Sequence, residues 1–171
     1  SVDVGTGQVV PWSPMEMNAS VNAICAQPDG VYVGGQFTTM GHVARNNIAA
    51  FDAGTGQPTA WDPGADGEVW TLDVVNGTVL AGGSFVNIGG QNRANLAAID
   101  ASTGVTTSWD PAVNGVVHRS LLVGNTLYLS GYFSSVGGQQ RVLAGALDIN
   151  TALATPWNPL PNEEIKAFAD G

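Results

Sequence analysis

Short apolar segments separated by turn residues run the length of the chain, and they recur in a fixed order. Val21–Ala26 is apolar and ends at Pro28-Asp29-Gly30, a turn signature. Val31–Phe37 (VYVGGQF) reads as a second strand, Thr38–Asn46 as a polar loop and Asn47–Asp52 as a third strand. Gly54-Thr55-Gly56 then turns the chain into Gln57–Trp61, a fourth. The order returns as Val69–Val74, a turn at Asn76-Gly77, Val79–Phe85, Asn95–Asp100 and Val105–Trp109. It returns again as Val117–Val123, a turn at Gly124-Asn125, Leu127–Phe133, Leu143–Asp148 and Leu153–Trp157. Helical periodicity appears nowhere at useful length, and strands this short and evenly spaced predict an all-β chain.

The recurrence has a fixed period. AAFDAGTGQPTAW at Ala49–Trp61 returns as AAIDASTGVTTSW at Ala97–Trp109 and as GALDINTALATPW at Gly145–Trp157. A partial copy, DVGTGQVVPW, opens the chain at Asp3–Trp12. Asp3, Asp52, Asp100 and Asp148 are therefore 49, 48 and 48 residues apart, and Trp12, Trp61, Trp109 and Trp157 keep the same intervals. Four antiparallel strands per ~50-residue unit describe a β-propeller blade. A β-solenoid is the competing architecture, but its coils are shorter and lack three hairpin turns per repeat. The repeats fall at about 3–51, 52–99 and 100–147, with a partial one at 148–171. The expected fold is a partial β-propeller of three complete four-stranded blades plus a strand at each end, Gln8–Trp12 and Ile165–Phe168. A ring normally has four to eight blades. Further blades of a longer chain, or self-association, are expected to cover the open edges.

Most recurring residues have a blade-building reason. The doublets Gly34-Gly35, Gly82-Gly83 and Ser130-Gly131 remove side chains where backbones crowd. Phe37, Phe85 and Phe133 close the second strand, and Ala49-Ala50 and Ala97-Ala98 leave room for a tryptophan between blades. In Asp-x-x-Thr-Gly the Asp accepts backbone N–H groups and the Gly reaches positive φ. Ala152 replaces that glycine in the last copy, which predicts a turn of another type there. Asp62-Pro63, Asp110-Pro111 and Asn158-Pro159 mark the passages between blades, with Ser13-Pro14 as the counterpart near the start. Arg45, Arg93 and Arg141 recur in the loop after the second strand, where a planar five-donor fork suits bracing of those passages. A ring of anion-binding groups is the rival role for them.

The segments VGGQFTTMGHVARNNIAAFD, AGGSFVNIGGQNRANLAAID and SGYFSSVGGQQRVLAGALD resemble bacterial delta-60-type β-propeller repeats. AAFDAGTGQPTAW and AAIDASTGVTTSW also look like the tryptophan-docking motif of quinoprotein-type propellers, and the Gly doublet with its later Trp is similar to kelch repeats. Departures from the delta-60 pattern are His42 for a loop glycine, Ser130 for a strand glycine, and Ala152. The resemblance spans essentially the whole chain and implies a large exported or surface protein, hence an extracellular or cell-surface location. It implies no general catalytic residues.

Charge narrows the partners. Five basic residues stand against fourteen acids, for a net charge of −9. The clustered Lys and Arg that a nucleic-acid backbone requires are missing, and no run approaches the ~20 apolar residues of a membrane span. Cys25 is the single cysteine, which excludes an intrachain disulfide and a thiolate zinc cluster; it reads as a small buried hydrophobe. Residues 1–10 lack the charged start and apolar core of a signal peptide, and any such segment is expected upstream.

Candidate chemistry lies where the repeats differ. Asn22, Trp70, His118 and Lys166 begin the first strands, which line the centre of a propeller. Gln36, Ser84 and Tyr132 share a second-strand position, and Arg119 is the one arginine outside the repeated loop position. Trp70, His118, Arg119 and Tyr132 are the candidate ligand-binding set, a mixed polar and aromatic pocket suited to a glycan or peptide. The plainer alternative is that first-strand starts are solvated and tolerate any residue. His42 and His118 have no metal-site spacing, and Asp62-Pro-Gly-Ala-Asp66-Gly departs from a calcium loop, so turn formation explains it. No G-x-S-x-G motif or defined acid–base pair occurs, and neither Asp73 nor Glu163-Glu164 has a partner at a definable separation. No metal, cofactor or catalytic residue is therefore expected. The expectation is a non-catalytic scaffold or binding platform for protein or glycan. The alternative is part of a carbohydrate- or quinone-active enzyme whose catalytic residues lie in other blades.

Overall fold

The computed structural model describes residues 5, 6, 8, 16–28 and 30–169. Trp12, the Ser13-Pro14 passage and most of Gln8–Trp12 lie outside these residues, as does Asp29 of the first turn. The described chain contains no helix.

Blade one contains β1 (Val21–Ala26), β2 (Gly30–Gly35), β3 (Thr39–Met40), β4 (Val43–Ala44) and β5 (Ile48–Asp52). Blade two contains β6 (Val69–Val75), β7 (Thr78–Gly83), β8 (Asn87–Ile88), β9 (Gln91–Asn92) and β10 (Leu96–Asp100). Blade three contains β11 (Val116–Val123), β12 (Thr126–Tyr132), β13 (Ser135–Val136), β14 (Gln139–Gln140) and β15 (Ala144–Asp148). Each blade is an antiparallel sheet whose second strand is central: β1-β2-β5, β6-β7-β10 and β11-β12-β15. The fourth piece runs along the third strand, joined by the single bridges Phe51↔Pro58, Ile99↔Thr106 and Leu147↔Ala154. Thr59, Thr107 and Thr155 each donate a backbone N–H to the third strand, at 2.8–2.9 Å. Ile165–Phe168, the expected end strand, makes no ladder; side chains of blade three hold it instead.

The polar loop expected at Thr38–Asn46 is in part a small hairpin. β3 pairs with β4 across Gly41, and β8–β9 and β13–β14 repeat the arrangement. Its strands are two residues long and mostly polar, so no alternation marks them. Ala152 does not change the turn type. It takes φ 63° where Gly56 and Gly104 take 69° and 74°, and its N–H reaches Asp148 O at 3.0 Å as theirs reach Asp52 and Asp100.

The core lies between blades. One cluster joins Tyr32, Ile48 and Trp61 of blade one to Val69, Phe85 and Ile99 of blade two. Another joins Leu80, Leu96 and Ala98 to Val117, Leu127 and Phe133 of blade three. A Cβ on Gly34 would stand 2.5 Å from Val69 Cγ1, and one on Gly82 would stand 2.8 Å from Val117 Cγ1. In blades one and two the first glycine of the doublet is thus the contact surface for the next blade. Cys25 is half-buried at the edge of the first cluster rather than fully buried, and the Gln27 amide lies 3.8 Å from its sulfur.

Candidate functional site

Each inner strand carries a β-bulge near its start. Register slips between Val21 and Ala23, between Val69 and Thr71, and between Val117 and Arg119. The extra residue is Asn22 in β1, Trp70 in β6 and His118 in β11. A bulge re-aims the side chain it carries and ends regular pairing locally. The second glycine of the doublet makes room for it: a Cβ on Gly35, Gly83 or Gly131 would fall 2.0–2.1 Å from a carbonyl oxygen at the strand start. A scaffold feature common to every blade therefore projects a residue that differs in every blade.

Trp70, His118 and Tyr132 form a row. The His118 ring lies 5.2 Å from Trp70 and 5.2 Å from Tyr132, edge-to-face with both. Its Nδ1 is 2.6 Å from Glu164 Oε1, and the other Glu164 oxygen accepts from Lys166 Nζ at 2.6 Å. The Glu164 side chain is only 5% exposed, and burial pushes its carboxyl up. Hydrogen bonds and charge from Lys166 and His118 outweigh that and hold it below the ordinary glutamate range. An ionised carboxylate only accepts, so the Nδ1 proton belongs to His118 and Nε2 is the nitrogen left for a ligand. Glu164 in turn holds Lys166 protonated: their hydrogen bond raises the ammonium above its usual value.

Arg119 lies beside this row. Its Nη1 donates to His118 O at 2.7 Å and its Nε to Lys166 O at 3.3 Å. With Ser130 Oγ donating to Ile165 O at 2.9 Å, these contacts dock residues 164–166 onto blade three. Trp70 and Arg119 also line a cleft of about 580 Å³ with Asn22, Ala23, Ile24, Thr71 and Leu72. The four candidate residues are thus brought together as a row and a cleft sharing Trp70. Of the other second-strand positions, Gln36 and Ser84 are solvent-exposed.

A half-buried polar cluster bridges β6 and β11. Ser120 Oγ donates to Asp73 Oδ2, and the Thr71 hydroxyl is 2.6 Å from Ser120 Oγ. Burial pushes the Asp73 carboxyl up, against the opposing Ser120 hydrogen bond. Ser120 of β11 thus bonds a hydroxyl and a carboxylate of β6, which ties blade three to blade two. Among the described residues, no group of three or more His, Cys, Asp or Glu side chains is placed to hold a metal ion.

The repeated positions engage backbone. Arg45, Arg93 and Arg141 donate Nη2 to Thr59, Thr107 and Thr155 carbonyls at 2.7, 3.1 and 2.7 Å. Arg45 also pairs with Asp62 at 3.4 Å and Arg93 with Asp110 at 3.7 Å. Asp52, Asp100 and Asp148 accept the N–H groups of their own turns. Trp61 stacks edge-on against Tyr32 at 5.0 Å and donates Nε1 to Asp100 O of the next blade at 3.0 Å.

Sequence reasoning missed one periodic set. Asn18, Asp66 and Asn114 each accept two backbone N–H groups of the loop that opens the small hairpin: Thr38 and Thr39, Val86 and Asn87, Ser134 and Ser135. Their spacing of 48 was the available signal. Alternation between Asn and Asp hides it, and the turn-like sequence around Asp66 masks its role.

Residues 76–101, the central hairpin of blade two, match the family described as "Domain of unknown function (DUF5122) beta-propeller". The fold is a partial β-propeller. The crystal structure of the computationally designed Ika4 protein is similar, with a TM-score of 0.62 at 17% identity over 92% of this chain and 85% of that one. That of the computationally designed Ika8 protein gives 0.50 at 17% identity over 82% of this chain and 37% of the other. At these identities the likeness concerns the fold alone. No curated protein matches the sequence.

Proposed function

We propose that this propeller segment is a non-catalytic binding platform of an exported bacterial protein, and that it recognises a glycan through Trp70, His118, Arg119 and Tyr132. The observation that carries this is the set of three inner-strand bulges, which keep one backbone device and vary the residue it presents. A rigid scaffold offering variable polar and aromatic groups at one place suits recognition. Edge-stacked rings supply apolar faces for sugar C–H groups, while His118 Nε2 and the Arg119 guanidinium supply polar contacts. The delta-60-type resemblance supports the extracellular or cell-surface location.

A glycan array read with the wild type, Trp70→Ala and His118→Ala tests the proposal. The expected result is a defined group of glycans bound by the wild type and lost or weakened at least tenfold in both variants. Hits indifferent to both changes would remove the site. Turnover of a bound glycan, abolished by changing a residue of this chain, would remove the non-catalytic reading.

A further inference from the structure

The distribution of cations gives the ligand a chemical class, an inference that rests on the recognition site proposed above. Of the five basic residues in this chain of net charge −9, Arg45, Arg93 and Arg141 serve the repeated loops. The other two, Arg119 and Lys166, meet at the inner-strand site, where Arg119 Nε bonds the Lys166 carbonyl. Lys166 is matched by Glu164. Arg119 has no carboxylate partner among the described residues, although Asp73 stands on β6, Glu68 just before it, and Glu164 in the segment docked on blade three. Each of those acids is engaged elsewhere: Glu164 with His118 and Lys166, Asp73 with Ser120, and Glu68 with Asn22 at 2.9 Å.

Arg119 is also held in place. Two backbone carbonyls fix its Nε and Nη1, and Nη2 takes no hydrogen bond among the described residues. A guanidinium fixed by neutral acceptors keeps its full charge and loses little freedom on pairing with an anion. Trp70 forms an apolar wall of the same cleft, and Asn22 and Thr71 add polar groups. Surrounding acids and the overall negative charge disfavour a dianionic phosphate, whereas one carboxylate matches the single unpaired fork.

We infer that the Trp70–Arg119 cleft takes a carboxylate-bearing sugar, a uronic acid unit, with Arg119 pairing its carboxylate and Trp70 covering its apolar face. The fork gives discrimination between a uronate and its neutral ester, because the ester keeps the ring and hydroxyls but loses the charge.

The test is calorimetric titration of the full chain with α-1,4-linked tetragalacturonate, its methyl ester and tetraglutamate, in low salt. The acid should bind at least about tenfold more tightly than the ester, the scale of a charge-assisted hydrogen bond. Arg119→Gln should abolish that preference, and Arg119→Lys should restore part of it. Trp70→Ala should weaken both sugars. Equal affinity for acid and ester, or failure of both to bind, overturns the uronate assignment; neutral glycans lost from the array in Trp70→Ala would then still uphold the recognition site. Tetraglutamate binding as tightly as the uronate overturns the choice of a sugar over an acidic peptide.

Discussion

Among the described residues, Ala112, Leu143, Ala152 and Leu160 hold backbone conformations that their side chains oppose. Ala152 and Leu143 both have φ 63°, in the left-handed region where a Cβ costs about 1–2 kcal/mol. Their counterparts are Gly56 and Gly104 in one case, Asn47 and Asn95 in the other. Those two asparagines also bond the Ala65 and Val113 carbonyls, which Leu143 cannot do. Ala152→Gly and Leu143→Asn should each stabilise the protein by about 1 kcal/mol in denaturant unfolding, and unchanged midpoints would show that the strain is relieved elsewhere. Acid acts on the same turns. Hydrogen bonds led by that of the Ser102 hydroxyl lower Asp100 from 3.8 to about 2, and those of Thr55 lower Asp52. Their stabilisation is complete above the unfolded value near 3.8 and is lost as pH falls from there through about 2. Asp100→Ala should therefore cost stability at pH 7 and little at pH 2, as thermal melts at both pH values would show. Asp73 has the opposite sign: its raised folded value makes the ionised form a liability at neutral pH. Asp73→Asn keeps an acceptor for Ser120 and should raise the melting temperature at pH 7, with the gain shrinking as pH falls towards the ordinary carboxylate range.

The strands were legible as apolar runs between turn signals because the central strands β2 and β7 are buried along nearly their whole length, on both faces. The bulges that aim the candidate site were not legible in the strands that carry them. Their signal lies across the ladder, in Gly35, Gly83 and Gly131, and was read only as general crowding. The sequence singled out Trp70, His118, Arg119 and Tyr132 by their departure from the repeat, but Glu164 joined them only through the fold. It is 46 residues from His118, and nothing local couples the two. The small hairpins escaped because Gln91, Asn92, Gln139 and Gln140 are polar and exposed, which leaves no alternation to detect. The two glycines of each doublet also predict different outcomes. A side chain at Gly82 meets Thr71 Cγ2 at 2.7 Å and Val117 Cγ1 at 2.8 Å, whereas Ser130 occupies the matching place and bonds Ile165 O. Gly82→Ser should destabilise by about 2 kcal/mol through overpacking, while Ser130→Gly should cost about 1 kcal/mol. Equal losses in chemical denaturation would mean that the blade joints are softer than the contacts indicate.

Across the molecule the joints between blades are alike in plan and unequal in filling. Tyr32 stacks on Trp61 and Tyr128 on Trp157, at 5.0 and 5.1 Å. Leu80 takes the tyrosine position beside Trp109, and Ile149 stands where the neighbouring joint has Ala101. The space around Trp109 is about 510 Å³ against about 300 Å³ around Trp61. Trp109 Nε1 is buried without a partner, while Trp61 Nε1 reaches the Asp100 carbonyl. An unsatisfied buried donor costs about 1–3 kcal/mol, and the missing ring forfeits an aromatic contact of about 0.5–1.5 kcal/mol. The joint between blades two and three should therefore open first, with hydrogen exchange at β12 of blade three faster than at the equivalent β2 of blade one. Leu80→Tyr combined with Ile149→Ala transplants the tighter joint, lets the Trp109 indole turn to the Asp148 carbonyl, and should stabilise the protein by about 1–2 kcal/mol. Leu80→Tyr alone places a ring against Ile149 and should gain less, because overpacking offsets the new contact. Additive, independent effects of the two changes would argue against a shared cavity; a double mutant more stable than the sum of the single changes is the signature of one joint being rebuilt.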